Sequence, residues 1–192
     1  MSDENSSSSP RKLRADAQRN RDHILKVARE AFAERGDSVT FDDIVKLSGL
    51  GVGTLYRHFR TREALVEAMY FGEIERLAAA AGELAKSLPP VEALRQWMLL
   101  FVDLLVTKYS MPSSVNAIVG SATARYGTLS DMVEVAIGGL VDRGVASGEI
   151  SLSFPPLDLL RALAGVANSG AGDQWVENAR RMVDVLIAGI RT

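Results

Sequence analysis

The sequence predicts an all-α fold of about nine helices, with three short elements at the N-terminus and a bundle of longer helices behind them. Three observations predict it. Apolar residues recur at spacings of three and four through most of the 192 residues, and no stretch alternates convincingly with the period of two that a strand requires. Glycine, proline and N-cap residues break this pattern at intervals suited to single helices. With 47 % hydrophobic and 24 % charged residues, the chain has enough apolar material for one sizeable core or two small ones.

The elements follow in order. Residues 1–14 open with "MSDENSSSSP", polar and Ser-rich, then "RKLR", and read as a disordered basic arm or the frayed entry to a helix. From about Ala15 to Arg35 one apolar stripe, Ile24, Val27, Ala28, Ala31 and Phe32, marks a helix that Gly36 ends. Thr40 with Asp43 forms a capping-box variant, and Val39 and Ile44 stand at the positions of a hydrophobic staple, so "FDDIVKLS" is a short helix stopping at Gly49. "VGTLYRHF" is the next. Thr61 caps a long helix that Pro89 and Pro90 end. "VEALRQWMLLFVDLLVTKYS" is apolar on most sides and should be buried. Two further helical stretches follow over 112–127 and 129–148, the second weakened by Gly138-Gly139, then the connector "EISLSFPP". The last two helices are expected over about 156–168 and 173–190. We expect three regions: the arm (1–14), a compact subdomain (15–60) and the bundle (61–192).

Composition excludes several functions. There is no cysteine, hence no disulfide, thiolate nucleophile or thiolate metal site. The two histidines, His23 and His58, have no acidic partners at metal-site spacing, and there is no P-loop and no nucleophile elbow. No metal, cofactor or enzymatic activity is expected. No apolar run is long enough to span a bilayer, and the N-terminus lacks the apolar core of a secretory signal. The net charge of −2 conceals an asymmetry: residues 11–62 carry 12 Lys/Arg against 7 Asp/Glu, and residues 63–192 carry 10 against 15. A basic N-terminal quarter on an acidic body points to one part that meets a polyanion.

Two short helices joined by a Gly-containing turn, with a supporting helix before them, form the pattern of a helix-turn-helix. Ile44, Leu47, Leu50 and Leu55 are expected to lock the pair, and Gly49 supplies a residue tolerant of positive φ. Gly51, Val52 and Gly53 give the second helix a small exposed beginning that can approach bases closely. Thr54, Tyr56, Arg57 and His58 supply donors for phosphate oxygens. "GLGVG" precedes a helix, as a phosphate cradle does, but no strand comes before it and no P-loop lysine follows.

The run of Thr40-Phe41 with "GLGVGTLYRHFRTREAL" (49–65) resembles the DNA-binding region of the tetracycline-repressor (TetR) family of bacterial transcriptional regulators, over roughly residues 15–66. The resemblance implies that Thr40, Tyr56 and His58 contact phosphate and that Arg62 grips the backbone. It places Gly51, Val52, Gly53 and Arg57 where bases are read. Of these, Arg57 is the one side chain able to make a bidentate guanine contact, and Val52 is suited to a thymine methyl. Val45 departs from the pattern, which usually has a smaller residue there.

A lone helix-turn-helix covers few base pairs, so a homodimer on a palindromic double-stranded operator is expected. By resemblance the dimer forms through the last two helices, with Leu160, Leu163, Trp175, Met182, Val183, Leu186 and Ile190 as candidates. The middle helices, 91–147, are expected to enclose a pocket for a small apolar or aromatic effector. Trp97, Met98, Phe101, Leu105, Tyr109, Ile118, Tyr126 and Met132 would line it, and Asn116 would orient the ligand. The expected function is a cytoplasmic, ligand-released repressor. An activator of the same fold, or an all-helical interaction protein that does not bind DNA, is the alternative.

Overall fold

The computed structural model describes residues 10–109, 124–169 and 174–192. Among these, eight α-helices follow in chain order: α1 Pro10–Arg35, α2 Phe41–Ser48, α3 Val52–His58, α4 Arg62–Ser87, α5 Pro90–Tyr109, α6 Ala124–Ala146, α7 Leu157–Ser169 and α8 Gln174–Ile190. A 3-10 turn, Gly36–Ser38, follows α1. The only extended pairing among the described residues is an isolated antiparallel bridge between Ile150 and Arg191. The all-α expectation holds. The chain divides into two compact units, one running through Met69 and the other starting at Tyr70.

In the first unit α1 begins at Pro10, earlier than the apolar stripe indicates, so the backbone of "RKLR" is helical. Proline suits a first turn, whose N–H groups have no intrahelical partner, and nothing after it breaks the helix. The core of this unit gathers Ile24, Ala28 and Ala31 from α1, Val39 and Ile44 around α2, Leu55 and Phe59 around α3, and Leu65, Ala68 and Met69 from α4. Those last three residues carry the unit past the expected boundary at residue 60, because the small core is incomplete without them.

The start of α2 matches its sequence signals. The backbone N–H of Asp43 donates to Thr40 Oγ1 (3.1 Å), and the backbone N–H of Thr40 donates to Asp43 Oδ2 (3.0 Å). Val39 and Ile44, the staple pair, are both buried. The Thr40 hydroxyl and backbone N–H hold the Asp43 carboxyl below its usual range, with smaller help from Arg35 and Lys46. A lowered folded-state pKa means that the box stabilises fully above about pH 4 and loses its contribution as the pH falls through the lowered value. Thr40→Ala is expected to cost about 1 kcal/mol near neutral pH and to flatten the acid limb of the stability curve. Urea titrations across pH 2–7 check both.

Leu47 does not lock the helix pair. It is 54 % exposed, and Ser48 is buried in its stead. At 100° per residue, Phe41, Ile44, Val45 and Ser48 cluster on one side of α2, and Leu47 lies about 110° round from their centre. The Ser48 hydroxyl donates to the Val45 carbonyl (3.1 Å) and accepts from the Leu50 N–H (3.3 Å). The Ser48 carbonyl accepts from His23 Nε2 (3.0 Å), which ties α1 to the turn. Gly49 closes α2 in the left-handed region, at φ 64°.

In the second unit, α5 is buried along much of its length: Val91, Ala93, Leu94, Trp97, Met98, Val102, Leu104 and Leu105 are all buried. Pro89 and Pro90 separate it from α4, as their lack of N–H donors dictates. The break expected near residue 128 is absent: α6 runs unbroken through Gly127 and Gly138-Gly139, held by a buried face of Leu129, Ile137, Leu140 and Val141. Packing here outweighs propensity. Arg95 and Arg180 pair with Asp184 (2.7 Å) and Asp103 (2.8 Å), fastening the exposed sides of α5 and α8 together. The connector after α6 is pinned to the chain's end: Ser151 N–H donates to the Ile190 carbonyl (2.8 Å) and Thr192 N–H to the Glu149 carbonyl (3.2 Å).

Candidate nucleic-acid interface

The helix-turn-helix is assembled from side chains whose burial follows the helical period. Leu55 is fully buried and Phe59, which closes α3, is 2 % exposed. Gly51, Val52, Gly53, Tyr56 and Arg57 are exposed; Gly53 and Arg57 lie opposite Leu55, with Tyr56 about 100° round from it. Thr40 is exposed at the start of α2, while Thr54, His58 and Arg62 are half-buried. The structure therefore brings six of the nine expected contact residues into the open, four of them on α3 and one, Gly51, at its N-cap.

Tyr56 is placed firmly. Its ring meets Phe41 edge-on, with centroids 5.0 Å apart. This contact orients the phenol, so part of the ring packs while much of the residue remains exposed. Arg57 lies back along its own helix, its Nε donating to the Gly53 carbonyl (3.1 Å). Arg62 has a structural tie: its Nε donates to the Val39 carbonyl (3.0 Å) and its guanidinium lies 5.1 Å from the Phe32 ring centre. Arg21 stands similarly over Phe59, at 4.7 Å. These cation–π contacts close the rim of the small core and keep positive charge at its surface. The sequence reading missed Arg21 and the Arg62–Val39 bond, because neither belongs to a local motif.

A family model described as bacterial regulatory proteins of the tetR family matches residues 24–69. The match starts at the first core residue of the unit, Ile24, and stops at its last, Met69. Across the whole fold, the crystal structure of the TetR transcriptional regulator SCO0520 from Streptomyces coelicolor superposes with a TM-score of 0.74 at 37 % identity, covering 89 % of this chain and 98 % of that one. The chain belongs to the TetR family of transcriptional regulators. The HTH-type transcriptional regulator UidR of Escherichia coli K12 is 31 % identical over 136 residues, which is 70 % of this chain and 59 % of UidR. The HTH-type transcriptional regulator SAR0097 of Staphylococcus aureus is 39 % identical over 70 residues, 35 % of this chain and 36 % of its own. The chain thus spans between about a third and three-fifths of the length of these curated relatives.

In this TetR-family chain the second unit contains a cleft of about 390 Å³ among α4, α5, α6 and α7. Phe101, one of the residues named for an effector pocket, borders it together with Tyr70, Ile74, Leu104, Leu129 and Leu160. Trp97 and Met98, named as lining residues, are fully buried, and the Trp97 indole N–H donates to the Leu77 carbonyl (2.7 Å). Neither borders this cleft. Leu105 is buried too. The Tyr109 hydroxyl donates to Asn168 Oδ1, and its ring meets Trp175 edge-on at 5.4 Å. Met132 lines a second, shallower cleft with Glu75, Ala78 and Val135. Asn116, Ile118 and the side chain of Tyr126 lie outside the described residues.

The expected dimer residues divide in two. Leu160, Leu163, Val183 and Ile190 are buried within this single chain. Trp175, Met182 and Leu186 are half-buried, and Val185, which the sequence reading passed over, is 62 % exposed. The division is geometric: α8 buries Ala179, Val183, Ile187 and Ile190 against its own unit, so an apolar residue off that line is left facing outward. No helix among the described residues is long and apolar enough to cross a membrane.

Proposed function

We propose that the protein is a homodimeric repressor that holds a palindromic operator through α3 and is released by a small apolar effector. The observation that carries this reading is the exposed face of α3. It combines a bare, glycine-flanked beginning with a tyrosine already oriented by Phe41. Thr40, Thr54, Tyr56 and His58 serve as phosphate donors, with Arg62 adding positive charge, and Gly51, Val52, Gly53 and Arg57 lie against the bases. The basic surplus over residues 11–62 favours the encounter. Two half-sites about 34 Å apart require a second copy, and Trp175, Met182, Val185 and Leu186 of α8 are apolar residues available to meet it. The effector occupies the cleft around Phe101, whose walls are mostly hydrocarbon. It lowers operator affinity by binding better to the form that holds DNA poorly.

Gel shifts against the DNA upstream of the gene test the core of this proposal. Binding is expected to weaken steeply with salt. Tyr56→Phe keeps the ring on Phe41 and removes only the hydroxyl. It is expected to lower affinity about three- to tenfold at every sequence with the salt slope unchanged, because a phenol releases no counterion. A variant that binds as tightly as the parent removes Tyr56 from the interface.

A further inference from the structure

We infer that the cleft among α4, α5, α6 and α7 takes an amphipathic organic cation, with a hydrocarbon or aromatic body on the floor of the cleft and one protonated amine at its mouth, held by Glu134. The inference rests on the effector reading above and narrows it to one ligand class.

Burial divides the cleft into two zones. Tyr70, Ile74, Leu104, Leu129 and Leu160 are buried and form its floor. Ser130, Glu134 and Arg161 also border it but are exposed, so its polar groups stand where it opens to water. A volume of about 390 Å³ suits a small ligand with an apolar body.

The three polar residues at the mouth are not equivalent. Arg161 donates to Asp158 Oδ1 (2.5 Å), a pair that offsets its charge. No hydrogen bond or ion pair among the described residues engages the Glu134 carboxylate or the Ser130 hydroxyl. These two residues are four apart on α6 and so lie on one face, a turn from each other. The mouth therefore offers two neighbouring acceptors and one uncompensated negative charge. An ammonium group, which has donors only and a positive charge, matches both. A carboxylate would be repelled by Glu134 and would have to draw Arg161 away from Asp158. The rings of Tyr70 and Phe101, which also border the cleft, favour a cation over an anion. The acidic surplus over residues 63–192 draws cations toward this unit.

The test titrates the full chain, without DNA, with three probes that share one body: phenylbutylamine, phenylbutanol and phenylbutyrate. Isothermal titration calorimetry at neutral pH is expected to find the amine about tenfold tighter than the alcohol, and the carboxylate weakest. Glu134→Gln, an exposed change that keeps the size of the side chain and removes its charge, is expected to erase the difference between amine and alcohol. If amine and alcohol bind the parent alike, if the carboxylate binds tightest, or if Glu134→Gln keeps the full preference for the amine, the cation is overturned while the cleft stands as an effector site. If none of the three probes binds, the effector reading of the cleft is overturned, and the cation with it.

Discussion

Leu55→Ala is expected to destabilise the N-terminal unit by about 2–5 kcal/mol and to abolish duplex binding at physiological temperature. Leu55 is fully buried, in one cluster with Ile24, Ile44, Phe59 and Met69. It is the side chain by which the seven-residue α3 is anchored, since the other α3 residues from Val52 to His58 are exposed or half-buried. A helix of this length does not persist in water by itself, so losing its anchor loses the recognition surface as well. Hydrogen exchange of the amides in α1–α3 reads the local loss directly. Gel shifts of the same variant, compared with Tyr56→Phe, separate a missing fold from a missing contact. Unchanged protection in α3 would remove Leu55 from its place as anchor.

Trp97→Ala is expected to cost the second unit about 3–5 kcal/mol. The indole is fully buried on α5, and its N–H has a partner in the Leu77 carbonyl. Removing it leaves a large void between α4 and α5 and exchanges a satisfied polar group for nothing. Trp97→Phe restores most of the volume without the donor and is expected to recover much of the loss. Urea denaturation followed by far-UV circular dichroism compares the two. If Trp97 instead lined a ligand cavity, truncation would leave stability nearly unchanged and alter only effector response. Equal midpoints for both variants and the parent would therefore return it to the pocket.

The contrast between these two residues shows how much was legible before the structure. Caps, staples and breaks set by chain-local chemistry read correctly here: the Thr40–Asp43 box, the Val39–Ile44 staple, Gly49 in the left-handed region and the proline break before α5, with Leu55 and Phe59 as core. The helical period assigns a side chain to a face, and on α3 one face is enough, because exposure follows from it. It does not say which neighbour covers that face. Trp97 and Phe101 stand one turn apart on α5, yet one is sealed by α4 and the other opens on a cleft whose walls also come from α4 and α7. Tyr70 and Ile74 escaped notice for that reason: they belong to a helix outside the 91–147 window. Leu47 was misplaced because its hydrophobicity outweighed its angle, and a serine with local partners for its hydroxyl took the buried position. Val183 and Met182 likewise share an apolar stripe that the fold divides between interior and surface.

The edge-on seat of Tyr56 against Phe41 has a thermodynamic consequence. A free tyrosine side chain samples several rotamers and must give them up when it is captured by a partner. Here that ordering is completed during folding, at the expense of the unit's own stability, so it is no longer subtracted when DNA arrives. On the proposed reading, the tyrosine that meets DNA is ordered in advance by Phe41, which then favours binding by sparing that entropy.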